Sequence, residues 1–206
     1  MIDGPFNPLD TENIAKSICS ELASGIAIPL SAGLERMGSG IYALYYIGDF
    51  EPYRQISCMN RSEQFLRPIY IGKAVPRGAR KGYAHGAKCL DNALSRRLSN
   101  HYQTLEQVEN LSASDFYYRS LRLDSIWASV GETVAIEKWQ PLWNTVIDGF
   151  GNKTPGKGRS AQERSAWDML HPGRHFVKNL KLPKNSSSYE SLRDRVISSL
   201  CKESLS

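Results

Sequence analysis

Gly40-Ile41-Tyr42-Ala43-Leu44-Tyr45-Tyr46-Ile47 and, further along, Arg67-Pro68-Ile69-Tyr70-Ile71-Gly72-Lys73-Ala74 are the two stretches that decide the fold. Apolar and aromatic residues dominate each, and turn formers bound it, which is the pattern of a β-strand. Tyr46-Ile47-Gly48 repeats the tripeptide of the second stretch but begins only three residues after Ala43. A partner strand needs an intervening hairpin turn. Residues 45–48 therefore read as the end of the first strand and residues 70–73 as the second.

Beyond Lys73 a loop leads to a helix read over residues 90–102, where Leu90, Leu94 and Leu98 recur every four residues. Arg97 and His101 are also four apart. At roughly 100° per residue they border the leucine stripe. Taken alone, such a pair is an ordinary surface feature. A second helix over residues 131–140 ends before Pro141. On it Glu132 projects with Ala135, Ile136 and Trp139 on the apolar face, while Glu137 points away, beside Lys138. A carboxylate on a core-facing surface is costly unless a cation pairs with it. Glu137 reads as a solvated helix charge.

Gly40-Ile41-Tyr42, Tyr70-Ile71-Gly72, Arg97 with His101, Glu132, and Pro141-Leu142-Trp143-Asn144 follow one another in the order of the GIY-YIG nuclease family, which this chain resembles. In that family the metal-ligand Glu precedes the motif Asn by twelve residues, the separation of Glu132 from Asn144. GIYALYY, PIYIGKAVP, PLWN, VIDGFGNKTPGKGR and HPGR further resemble the type II restriction endonucleases that cut CCGCGG. The likeness runs over residues 37–174; the first forty residues and those after Arg174 match nothing, and residues 49–67 and 73–91 match loosely.

The resemblance implies an α+β fold, a small antiparallel sheet flanked by helices, with an N-terminal helix and a C-terminal basic extension. Residues 1–36 would form a helical arm, 37–150 the catalytic core with an insertion at 49–67, and 151–206 a DNA-contacting extension. It implies hydrolysis of double-stranded DNA with Mg²⁺, for which Mn²⁺ could substitute, held by Glu132. Tyr42 would be the general base. Free tyrosine has a pKa of about 10, so Lys73 and Arg97 would have to lower it, with His101 accepting or relaying the proton. Arg97 would also clamp the phosphate, Tyr70 orient the water or phosphate, and Asn144 fix the phosphate or the metal's outer shell. As strand residues, both tyrosines would pack the sheet as well. A palindromic target implies a homodimer, and a restriction system implies a companion methyltransferase in a prokaryotic cytoplasm.

Charge agrees with a nucleic-acid partner. The net charge is +5, yet residues 73–102 alone carry seven Lys or Arg against one acid, and residues 152–184 carry eight against two. Segregated positive charge is what phosphate neutralisation needs, although solvated basic loops also occur in proteins that bind no DNA. Arg77, Arg80, Lys81, Lys153, Lys157, Arg159 and Arg174 are the DNA-contact candidates. Arg159 comes first as a reader of guanine O6 and N7.

Other classes fall away. At 206 residues the chain can bury a full core. No run approaches the eighteen or so apolar residues of a membrane span, and no secretory leader is visible. Cys19, Cys58, Cys89 and Cys201 are scattered without a CxxC pair and read as thiols in a reducing compartment. His171 and His175 are separated by Pro172 and Gly173, and no acid or cysteine stands at ligand spacing, which argues against zinc. Gly-x-Gly at Gly38 and Gly156 lacks the strand-turn-helix setting of a nucleotide loop.

Around the core, Asp10 or Thr11 caps a first helix with Ile14, Ile18 and Leu22 that ends near Gly25. Residues 112–124 alternate like a third strand. Residues 187–190 have capping-box spacing before a last helix bearing Leu192, Val196 and Leu200. The competing functions are a structure-selective or homing nuclease on the same core, and a DNA-binding protein with an inactive core. An RNA-binding role lacks aromatic recognition motifs.

Overall fold

Residues 40–46 form the strand read from their apolar and aromatic run, and Gly40–Tyr46 is buried at every position. A strand covered on both faces needs two helical layers, and the rest of the chain supplies them. The structure, a computed structural model, describes residues 10–62, 64–76, 91–152 and 162–203. In chain order these form α1 (Thr11–Ser24), β1 (Ile28–Pro29), β2 (Gly40–Tyr46), α2 (Arg54–Ser62), β3 (Tyr70–Ala74) and α3 (Ala93–Gln107). There follow β4 (Phe116–Arg122), α4 (Ser125–Trp139), α5 (Leu142–Thr145), α6 (Ala166–Leu170), α7 (His175–Asn179) and α8 (Tyr189–Glu203).

The described strands make one antiparallel sheet in the order β1-β4-β2-β3. This is the α+β architecture expected. Tyr42, at the middle of β2, lies opposite Gly72 on one side and Ser120 on the other. Strand periodicity sorts the side chains. Tyr42, Leu44 and Tyr46 face a cluster with Leu94, Leu98 and Leu105 of α3. Ile41, Ala43 and Tyr45 face Ile18 and Leu22 of α1 and Ala128 and Ala135 of α4.

Both motif glycines have steric reasons. Gly40 has φ +151°, and a Cβ there would run into the Leu121 carbonyl of β4. At Gly72 a Cβ would run into the hydroxyl end of the Tyr42 ring, which crosses the strand at that point. Only glycine leaves space for that tyrosine.

Several boundaries differ from the periodicity reading. α3 continues to Gln107 because Leu105 extends its buried stripe; Leu90 lies outside the described residues. α4 starts at Ser125, six residues before the expected start. Gly131 lies within it because a Cβ there would stand 3.3 Å from Ile18, Ile41 and Leu123, so close packing on the sheet overrides helix propensity. The third strand is shorter, beginning after a 3-10 turn at Ala113–Asp115.

The insertion at 49–67 folds into a 3-10 turn, Glu51–Tyr53, followed by α2. Its buried Asn60 donates to the carbonyls of Tyr46 and Arg67, at 3.0 Å each. At the last helix Ser188 rather than Ser187 is the cap, its hydroxyl accepting from Ser191 N–H at 3.2 Å. Trp167, Leu170, Leu192, Val196 and Leu200 join the same apolar cluster as the sheet. Among the described residues no helix is long and apolar enough to cross a membrane.

Candidate active site

The buried face of β2 delivers Tyr42 to one turn of α3. Its hydroxyl lies 2.6 Å from His101 Nε2 and accepts from Arg97 Nε at 3.1 Å. The i, i+4 spacing puts both α3 side chains on the flank of the leucine stripe, and Leu94 and Leu98, both fully buried, fix the helix against the sheet. With Arg97 donating to the phenol oxygen, the hydroxyl proton is directed at His101 Nε2. That arrangement needs the imidazole proton on Nδ1. Tyr70 completes the group, its ring centroid 5.3 Å from His101 and 6.2 Å from Tyr42.

Burial sets the electrostatics. Tyr42 is fully inaccessible, and desolvation pushes its pKa well above the usual phenol range. Tyr70 and Glu132 raise it further, while Arg97 opposes them without prevailing. Tyr70 is likewise raised, burial again the largest cause. The cations therefore do not by themselves produce a phenolate, contrary to the sequence-based expectation. Lys73 has a different partner: its ammonium meets Glu132 Oε2 at 2.8 Å.

Glu132 and Asn144 come together along the free edge of β3. Trp143 N–H donates to Ile69 O at 2.9 Å. Asn144 accepts from Ile71 N–H at 2.8 Å and donates to Ile71 O at 2.9 Å. Glu132 Oε1 accepts from Lys73 N–H at 3.1 Å. One main-chain N–H and two side chains thus take the place of a neighbour strand, satisfying a row of backbone groups that an edge leaves open. Asn144, expected at the phosphate or metal, uses both ends of its amide on Ile71. It acts here as a strand mimic.

The donor set suits a hydrated hard cation. Glu132 offers carboxylate oxygen in a partly accessible position, its side chain 23% exposed. Among the described residues no cluster of three or more His, Cys, Asp or Glu forms a closed cage. Mg²⁺ keeps most of its waters and is commonly held by one or two carboxylates. The Lys73 pair is exposed enough to contribute roughly 1 kcal/mol or less, so an incoming cation can displace the ammonium. His171 closes α6 and His175 opens α7, on separate helices.

A groove of about 570 Å³ runs from Arg97 and His101 along Arg96, Asn100 and Gln103 of α3. Among the described residues lining it there is no carboxylate. A second hollow of about 540 Å³, between α1 and α4, is lined by Lys16, Cys19 and Glu137 and contains none of the site residues. Of the DNA-contact candidates, Arg77, Arg80, Lys81, Lys153, Lys157 and Arg159 lie outside the described residues. Arg174 is corrected. Its side chain is 3% exposed, pairs with Asp168 at 3.0 Å, and donates to the carbonyls of Asn152 and Gly149, each at 3.1 Å. A guanidinium so enclosed and paired ties the turn at residues 149–152 to α6.

Two groups beside the site escaped the sequence reading. Phe150 stacks on His101, with centroids 4.5 Å apart and planes 16° from parallel. Tyr53 forms a second buried Tyr–His pair with His171 at 2.5 Å, with Trp143 Nε1 donating to its hydroxyl at 2.9 Å. The one local signal was an aromatic residue held between two glycines, Gly149-Phe150-Gly151.

None of the curated proteins matches the chain. A family model described as the Eco29kI GIY-YIG domain matches residues 35–200, which include Tyr42, Tyr70, Arg97, His101, Glu132 and Asn144. The chain belongs to this GIY-YIG family and is a nuclease of restriction type.

Proposed function

We propose that this protein is a type II restriction endonuclease that hydrolyses double-stranded DNA at a palindromic GC-rich site, CCGCGG, with Mg²⁺ held at Glu132. The observation that carries this reading is the Tyr42 hydroxyl, held between His101 Nε2 and Arg97 Nε at 2.6 and 3.1 Å. A buried phenol loses its proton only if a neighbour takes it. His101 is that neighbour: as Tyr42 oxygen accepts a proton from the attacking water, its own proton passes to Nε2. Water oxygen bonds to phosphorus and the bond to the 3′ oxygen breaks. Arg97, donating to Tyr42, also carries two terminal amino groups that match non-bridging phosphate oxygens. Tyr70 orients the water or the phosphate. Mn²⁺ substitutes for Mg²⁺, and when bound the ion supplies charge stabilisation for the phosphate and the departing 3′ oxygen.

One active site per strand of a palindrome requires two copies related by a two-fold axis, so the working unit is a homodimer on DNA. Its host protects the same site with a methyltransferase. The basic residues of 77–81 and 153–159 supply phosphate contacts.

The test is digestion of a plasmid with a single CCGCGG site, in Mg²⁺, Mn²⁺ or EDTA, by wild type and Glu132→Gln. Linear product from wild type alone, absent in EDTA, is the expected result. Cutting at other sequences keeps the nuclease and discards CCGCGG. Cutting confined to branched DNA points to a structure-selective enzyme, and binding without cleavage in either metal points to an inactive binding protein.

A further inference from the structure

The turn after α5 is built into the site more closely than any DNA-contact role requires. Phe150 is 1% exposed and lies flat on the His101 ring, with its edge against Tyr70 at 5.1 Å and 78°. The next residue, Gly151, turns its carbonyl toward both terminal nitrogens of Arg97, at 3.5 Å each. A Cβ at Gly151 would lie 2.7 Å from the Tyr70 hydroxyl and 3.1 Å from Arg97 Nη2. The turn is itself pinned. Arg174 holds the carbonyls on either side, Gly149 and Asn152, and Asp168 holds Arg174.

We infer that Phe150 and Gly151 are positioning residues for the hydrolytic step, Phe150 fixing the plane of His101 and the Gly151 carbonyl fixing the fork of Arg97. The chemistry demands both. His101 accepts a proton from Tyr42 only along the line of its Nε2 lone pair, and a ring free to swing about its Cβ–Cγ bond loses that line. A parallel aromatic ring on one face stops the swing without competing for either nitrogen. Arg97 donates Nε to Tyr42 and also hydrogen-bonds Tyr70, and its terminal nitrogens face Gly151; a carbonyl at 3.5 Å orients them without a strong bond that substrate would have to break. Arg174 and Asp168, which touch no reacting atom, then act through the turn. The inference rests on the nuclease reading above.

Because positioning acts through its target, the test is a pair of double-mutant cycles. Single-turnover cleavage of CCGCGG plasmid in Mg²⁺, with enzyme in excess, is measured for wild type, Phe150→Leu, His101→Asn and the double variant. Phe150→Leu is expected to lower the rate constant about 10- to 100-fold. In the His101→Asn background the same change should cost less than about twofold, as non-additivity requires. The fraction of active enzyme, found by titrating the protein against the DNA, and the DNA affinity should hold, whereas a purely structural role would lower the active fraction by removing folded enzyme. Gly151→Ala with Arg97→Lys is the second cycle and does not depend on a core substitution. The added Cβ, 3.1 Å from Arg97 Nη2, should displace the fork and slow the wild type, but add little in the Arg97→Lys background, which has no fork to place. Equal losses in both backgrounds of both cycles overturn the inference and leave the nuclease intact. A wild type that cuts no DNA overturns the nuclease reading and this inference with it.

Discussion

Tyr42 and His171 show how far one buried residue departs from its behaviour in water. Both lie in a Tyr–His pair, but the pairs differ in what surrounds them. Around Tyr42 and His101 stand Arg97, Glu132 and a groove to solvent. His171 is enclosed: Tyr53 is on Nε2, the Asn110 side-chain oxygen is 2.9 Å from Nδ1, and burial pushes its pKa down to about 3 from 6.5. The unfolded chain takes up a proton at this histidine below pH 6.5, whereas the folded chain takes it up only near 3. The contribution to stability is therefore full above pH 6.5 and declines as pH falls toward 3, at up to about 1.4 kcal/mol per pH unit. Between pH 7 and 5, His171→Gln should remove this part of the slope. Thermal melts across that range check it; an unchanged slope would mean His171 is not the acid-sensitive group. The two pairs were indistinguishable as letters, because their neighbours and not their residue types separate them.

At the scale of elements, β3 explains the motif better than the active site does. It is an edge strand, and the Pro-x-x-Asn segment closes its open side through Trp143 and Asn144. Replacing Asn144 by Ala strips both bonds from Ile71 and should destabilise the protein by about 1–3 kcal/mol. Urea denaturation measures that loss, and hydrogen exchange at the Ile71 amide should accelerate. Unchanged exchange at Ile71 would show that the clamp does not hold the strand. The spacing of twelve residues between Glu132 and Asn144 was readable as a pattern. Its structural meaning was not, since nothing local says that both side chains reach one strand edge some sixty to seventy residues back.

On the scale of the whole molecule, the C-terminal segment is part of the core. Leu192, Val196 and Leu200 of α8 are buried with Trp167 and the sheet tyrosines. Gln55 of α2 donates to Leu200 O at 3.1 Å, and Arg193 pairs with Glu51 at 2.9 Å. Burying three aliphatic side chains contributes roughly 5 kcal/mol, comparable with the net stability of a typical domain. A chain ending at Asn185 should therefore lose its cooperative thermal transition by circular dichroism. Melting within a few degrees of the full chain would instead mark α8 as an appendage.

The sequence by itself determined the three longer strands, the leucine stripe of α3, the buried side of Glu132 and the order of the motifs. Each of these is a local matter of period two or period 3.6, and a periodic stretch keeps its meaning wherever it is placed. Tertiary structure alone decided that Arg174 is a buried clamp, that Lys73 pairs with Glu132, that Asn144 substitutes for a strand and that Phe150 covers His101. Those outcomes depend on which distant segment arrives beside a polar side chain, as when Tyr53 meets His171 across 118 residues. A charge or an amide takes its role from the partner and the dielectric it ends up with, and neither is written within a few residues of it.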